Sequence, residues 1–148
     1  HVSDPLPSAV GLAVLETIES EHLLQRSRDM GDYLAGGLRE LQSRHEEIGD
    51  VRGMGLLRGI ELVRDRETRE PHHELGALTT QRCLELGLSM NIRRRPERGS
   101  VWRIAPPLTV TKADIDLAMT IFDQALVEAK DTRAARSTAG KTLARRIA

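Results

Sequence analysis

With 148 residues, 39% hydrophobic and 30% charged, the chain has an ordinary globular composition and room for one domain plus a tail. A formal net charge of zero argues against a general polyanion binder, and no apolar run is long enough to span a membrane. The lone cysteine, Cys83, excludes a disulfide within the chain and a cysteine-based metal site.

The chain starts at His1 among turn formers and is expected to be a segment of a longer protein. Val2 to Pro7 reads as a loop, with two prolines around Ser3-Asp4. Pro7-Ser8 then opens a helix to about Glu19, where Val10, Ala13, Val14, Leu15 and Ile18 leave little polar surface. A helix apolar over most of its circumference is expected to be buried, between two bodies. A second helix, Glu21 to Arg44, lines one face with Leu23, Met30, Leu34, Leu38 and Leu41. Gly31, Gly36 and Gly37 each cost that helix roughly 1 kcal/mol against alanine, which points to close approach by another element.

Ile48 to Gly55 and Leu56 to Val63 read as two strands or a bent hairpin. A polar loop from Arg64 leads to a helix over Glu74–Leu86, stopped by Gly87. Leu88 to Ile92 reads as a third strand, Arg93 to Gly99 as a charged loop, and Val101 to Ile104 as a fourth strand ended by Pro106-Pro107. Thr111-Lys112-Ala113-Asp114 resembles a capping box, opening a helix with Ile115, Ala118, Phe122, Ala125, Leu126 and Ala129 on one face. From Lys130 onward the apolar period fades and six basic residues face Asp131 alone, a net +5 that leaves −5 on residues 1–129. That tail, 130–148, is expected to be disordered. The order ααββαββα indicates an α+β module, a small sheet with packed helices.

Alternation puts Val101, Arg103 and Ala105 on one face of the last strand and Trp102 and Ile104 on the other. An arginine among small and apolar residues offers a rigid fork of donors for a carboxylate or phosphate. Its bland alternative is a surface arginine reaching into water. Elsewhere the chemistry is thin. His1, His22, His45, His72 and His73 fall in predicted loops or at helix ends and are expected at the surface. Cys83 sits mid-helix beside leucines and reads as a small buried hydrophobe. Only Lys112, Lys130 and Lys141 are lysines, and none lies in a desolvated setting that would suit a Schiff base. The chain thus offers a candidate anion grip and no catalytic engine.

Asp4-Pro5-Leu6-Pro7, Gly49-Asp50-Val51-Arg52-Gly53-Met54-Gly55-Leu56, Gly59-Ile60-Glu61-Leu62-Val63 and Arg103-Ile104-Ala105-Pro106-Pro107-Leu108-Thr109 occur in that order. Together, over about residues 1–129, they resemble the C-terminal part of class-III aminotransferases, pyridoxal-phosphate enzymes of the aspartate-aminotransferase fold (fold type I). Within the class, Asp4 and Leu86 to Ile92 are most similar to the 2,2-dialkylglycine decarboxylases. The resemblance implies a division into a loop and linking helix (1–20), a small α+β domain (21–129) and the tail. It also implies decarboxylating transamination: a dialkylglycine gives a ketone and CO2, and the amino group passes to pyruvate. Arg103 matches the arginine that binds the substrate carboxylate; Val2 and Asp4 match ligands of a potassium or sodium ion, through a carbonyl and a carboxylate. The lysine that holds pyridoxal 5'-phosphate and the aspartate facing its ring have no counterpart here, so this segment alone should be inactive.

The resemblance further implies a homodimer, amino-acid and 2-oxo-acid substrates, a cytoplasmic setting, and no nucleic-acid or membrane partner. Arg58, where relatives carry an apolar residue, and the run Arg93-Arg94-Arg95 with Arg98 depart from the pattern. The alternatives are another class-III enzyme, of ornithine, acetylornithine or 4-aminobutyrate type, or a non-catalytic binding or dimerisation module. Nucleic-acid binding by the tail lacks the aromatics that stack bases, since the single Trp, Phe and Tyr lie outside it.

Overall fold

The elements fall in the predicted order, with boundaries set by their caps. The computed structural model describes residues 4–95 and 99–147, with side chains described at 4–90 and 100–135. Helix α1 (Pro5–Ser20) begins earlier than Pro7-Ser8 because Asp4 caps it. The Asp4 Oδ1 accepts from the Leu6 N–H at 3.1 Å, and Pro5 takes a position where no N–H is needed. Burial of α1 is not found within this chain. Leu6 is 71% and Leu15 60% exposed, and α1 meets only α2 among the described elements. The remaining helices and the sheet close their core on each other without it.

Strands β1 (Ile48–Met54), β2 (Leu57–Leu62), β3 (Asn91–Arg95) and β4 (Gly99–Ile104) form one antiparallel sheet in the order β1-β2-β4-β3. β3 starts and ends later than its apolar run suggests. Its backbone stays paired with β4 as far as Arg95↔Gly99, and ladder bonds between main chains do not require apolar side chains. The expected charged loop therefore begins as strand.

Helices α2 (Leu23–Arg44), α3 (His73–Glu85) and α4 (Lys112–Ile147) pack on one face of this sheet. Trp102 is fully buried there, its ring edge-on to Phe122 at 4.9 Å and its indole N–H donating to Thr80 Oγ1 at 2.8 Å. Ile60, Leu62, Leu38, Leu75 and Leu126 complete the surroundings of a single core. Gly31 is needed for the reason anticipated: a Cβ there would lie 2.2 Å from the Gly55 carbonyl carbon, whereas one on Gly36 would meet open space.

Helix α4 opens with the expected box: the Thr111 N–H donates to Asp114 Oδ2 at 2.9 Å, and the Asp114 N–H donates to Thr111 Oγ1 at 3.2 Å. It does not stop where the apolar period fades. Its backbone is helical as far as Ile147. An alanine-, lysine- and arginine-rich continuation has the propensity to propagate a helix once it is nucleated. Lys130 Nζ also reaches Glu47 Oε2 at 3.2 Å and Arg133 Nε reaches Glu74 Oε2 at 3.5 Å, so the first turns past residue 129 are tethered to the domain.

Candidate active site

Among the described residues helices cover one face of the sheet and leave the other open, so its two faces carry different chemistry. Toward the helices point Arg58, Ile60, Leu62 and Trp102, all buried. On the open face the register brings Arg52, Gly59, Arg103 and Asn91 into one row across the strands. Arg103 is exposed, and Gly59 beside it offers no side chain. The row is therefore bare between Arg52 and Arg103, which stand about 10 Å apart at two strand spacings.

Among the sheet arginines with described side chains, Arg103 is set apart by having no described partner. Arg52 Nη1 on β1 is held by Asp50 Oδ2 at 2.6 Å and Glu61 Oε2 at 3.1 Å. Arg58 on β2 donates to the Gly53 and Gly31 carbonyls at 2.8 and 2.9 Å. Arg103 has no hydrogen-bond or ion-pair partner among the described residues, so its fork of donors is free for an anion. Arg103 also lines a groove of about 680 Å3 together with Ser89, Met90, Pro106, Ile115 and Phe122. The loop beyond Pro107 is braced by Arg26 from α2. Its Nε donates to the Leu108 carbonyl at 2.8 Å, and its Nη2 to those of Thr109 and Val110 at 3.1 and 2.9 Å. The sequence reading missed Arg26, because its partners lie over eighty residues away and leave no local signal.

The other candidates sort differently. Asp4 is the α1 cap, with one carboxylate oxygen committed to Leu6, and Val2 lies outside the described residues. No group of three or more His, Cys, Asp or Glu positioned for a metal occurs among the described residues. Two histidines expected at the surface are buried: His45 is 5% and His72 2% exposed. Each closes a helix end. His45, at the end of α2, has Nε2 at 2.5 Å from Asp123 Oδ1 and Nδ1 at 3.3 Å from Lys130 Nζ. His72 caps α3 through Nδ1, and burial, then the Arg64 and Arg133 charges, lower its pKa. Burial pushes the Cys83 thiol up to about 12, so it stays protonated and inert.

Neither lysine with a described side chain suits a covalent cofactor. Lys112 Nζ sits over the Tyr33 ring at 5.0 Å in an exposed position, and Lys130 is paired with Glu47. Lys141 lies outside the residues with described side chains. Among the described residues there is no desolvated, unpaired amine to form a Schiff base.

Comparison with known proteins places this geometry. The class-III aminotransferase profile matches residues 1–126. An aminotransferase of Schizosaccharomyces pombe is 44% identical over 126 residues, covering 85% of this chain and 28% of the relative. The leucine/methionine racemase of Thermococcus litoralis is 36% identical over 132 residues, covering 89% and 29%. A solved aminotransferase of Bacillus anthracis superposes with a TM-score of 0.76 at 36% identity, covering 81% of this chain and 27% of that one. The chain thus spans somewhat more than a quarter of the length of these relatives, with the fold of the small α+β domain of fold-type I pyridoxal-phosphate enzymes. With a family profile over most of its length and an identity of 44% to a relative, the chain belongs to the class-III aminotransferase family.

Proposed function

We propose that the complete protein is a pyridoxal-phosphate-dependent aminotransferase in which Arg103 binds the carboxylate of the amino acid and of the 2-oxo acid. One observation carries this reading: among the described residues Arg103, at the end of β4, has no partner and lies on a face that the helices leave open, beside a bare glycine. A bidentate pair there fixes the orientation of the substrate's α-carbon, which governs the bond to be broken. In this reading the lysine for the cofactor is supplied by the remainder of the longer protein, since none of the described lysines suits that role, and the segment alone is inactive.

The finer reading is decarboxylating transamination, in which a 2,2-dialkylglycine yields a ketone and CO2 and pyruvate receives the amino group. It draws support from the resemblance of Asp4 and of Ser89-Met90-Asn91 to that branch. The same resemblance supports a potassium or sodium ion at Asp4 and Val2, with Asp4 bringing a charge as well as an oxygen; it also supports a homodimer in the cytoplasm. Relatives named as an aminotransferase and a racemase make the reaction itself the point to test.

In the full-length enzyme, Arg103→Gln is expected to lower kcat/KM for amino acids by about 10²- to 10⁴-fold, as loss of a charge-assisted pair worth roughly 3–5 kcal/mol requires. Primary amines without a carboxylate should be affected far less. Equal losses for amines and amino acids would show that Arg103 does not hold the carboxylate. Release of CO2 from a 2,2-dialkylglycine tests the finer reading, and amino transfer without CO2 would leave only the coarser one.

A further inference from the structure

Arg103 stands where β4 runs out of ladder. Its pair with Asn91 is the last on the β3 side, and the pair of Ile104 with Arg58 is the last on the β2 side. Ladder ends open more readily than ladder centres, because fewer neighbouring bonds hold each pair closed. The core holds this end of β4 only through the half-buried Ile104. Beyond it, Pro106 and Pro107 supply no N–H to extend the pairing, but their fixed φ angles stiffen the connection. Whatever holds the far end of this stiff segment also steadies the strand end that carries Arg103.

Arg26 holds that far end. Its guanidinium gathers three successive carbonyls, those of Leu108, Thr109 and Val110, while its own backbone N–H is fixed in α2 by the His22 carbonyl at 3.1 Å. Within the segment, the Val110 N–H closes a turn on the Pro107 carbonyl at 3.0 Å. The bonds to Leu108 and Thr109 are exposed, so water would satisfy those two carbonyls without an arginine. What the side chain adds there is position. The segment it fixes also borders the same groove as Arg103, through Pro106, Pro107 and Thr109.

The other end of α2 carries the same device away from that groove. Arg66 donates from Nε to the Glu46 carbonyl at 3.0 Å and from Nη2 to those of Gln42 and His45 at 2.6 and 3.0 Å. None of these four residues lines the groove. The two arginines therefore make the same number of carbonyl bonds, and only one of them steadies the strand end of Arg103.

We propose that Arg26 is a positioning residue for the carboxylate grip: it anchors residues 105–110 so that Arg103 is presented at a fixed place. The inference rests on the proposed function, because it requires that Arg103 meet a carboxylate.

The test uses the full-length holoenzyme, at a temperature where circular dichroism shows every variant folded. It compares kcat/KM in the amino-donor half-reaction for alanine and for ethylamine, which is alanine without its carboxylate. Arg26→Gln should lower the alanine-to-ethylamine ratio about tenfold, inside the 10² that a misplacement of about 1 Å can cost. Arg26→Lys keeps a cationic donor that cannot span three carbonyls, and should recover part of the loss. Arg66→Gln should leave the ratio unchanged. In an Arg103→Gln background Arg26→Gln should have no further effect on the ratio, because a residue that acts through Arg103 then has nothing to act on.

An unchanged ratio in Arg26→Gln, an equal fall in Arg66→Gln, or a loss that adds in full to that of Arg103→Gln would each overturn the proposal and leave Arg26 a brace of the fold. If Arg26→Gln does not fold, Arg26→Lys carries the same comparisons. Calorimetric binding of propionate to the same proteins needs no turnover. Propionate bound more weakly in Arg26→Gln and in Arg103→Gln, without addition in the double variant, supports the anchoring even if alanine does not react; only the proposed function then falls. Binding weakened by Arg103→Gln and untouched by Arg26→Gln overturns the anchoring alone. Binding that Arg103→Gln leaves intact overturns both.

Discussion

The two faces of this sheet use the same residue types to opposite ends. On the helix-covered face the larger polar groups are tied down: Trp102 donates to Thr80, and the terminal nitrogens of Arg58 donate to the carbonyls of Gly31 and Gly53, while Arg58 Nε and Ser100 Oγ find no partner among the described residues. On the open face, Arg103 is left without a partner among the described residues. Burial explains the difference, because an unpaired polar group in a dry core costs far more than one facing water. An arginine can stay free only where solvent or a ligand will meet it. Arg58 and Arg103, one residue apart in register on neighbouring strands, thus contrast a guanidinium committed to the fold with one whose donors no described residue takes.

The covered face should be the sensitive one to break. Trp102→Ala removes a fully buried ring, its edge contact with Phe122 and its bond to Thr80, and is expected to cost about 3–5 kcal/mol in urea unfolding of the chain. A loss below about 1 kcal/mol would mean that the helices do not clasp the sheet as described. Next comes Arg58→Gln. It leaves the Gly31 and Gly53 carbonyls without their donors and should cost about 2–3 kcal/mol, since each bond comes from a charged group to a buried or half-buried acceptor. Arg58 is thus a staple between α2 and the β1–β2 hairpin, which accounts for an arginine at a place where an apolar residue was expected.

How much of this was legible beforehand follows from the range of the forces involved. The helices and the β1–β2 hairpin could be read because hydrophobic period, glycine and capping signals are local. Thr111 and Asp114 announced the start of α4 from three residues apart. The face assignment of Arg103 and Trp102 needed only strand alternation. What failed was long-range. His45 read as a surface residue because its partner Asp123 is 78 positions away. The extent of β3 depended on its pairing with β4. The role of Asp4 divides the same way: its cap on α1 is local and visible, while a cation role depends on groups beyond the described residues.

A smaller effect joins α2 to α4 and depends on pH. Burial alone would raise the Asp123 carboxyl, but His45 and Arg44 hold it below the usual carboxylate range. Glu47 is lowered as well: burial acts against it, while its own backbone N–H and Lys130 favour the charged form. Groups with depressed folded pKa values add stability that is present above their unfolded values, near pH 4, and is lost as pH falls through the folded ones. The chain should therefore lose stability as pH drops below about 4, and Asp123→Asn should make that part of the curve shallower. An identical acid limb in the variant would mean that the α2–α4 link carries no such linkage.

The smallest expected effect is the most telling. Arg103→Gln should change the unfolding free energy of the chain by no more than about 0.5 kcal/mol, the usual scale for an exposed substitution that breaks no bond. Arg103 is exposed, faces Gly59 across the ladder and gives up no described partner when replaced. The same substitution at Arg58 should cost several times more, so the pair forms an internal control with one chemistry on two faces. A measurable loss at Arg103 would show that its guanidinium supports the fold, and would remove the argument for a free anion grip. A null result at Arg103, alongside a clear loss at Arg58, would mean that the fold does not require this arginine's charge and leaves it available to a ligand.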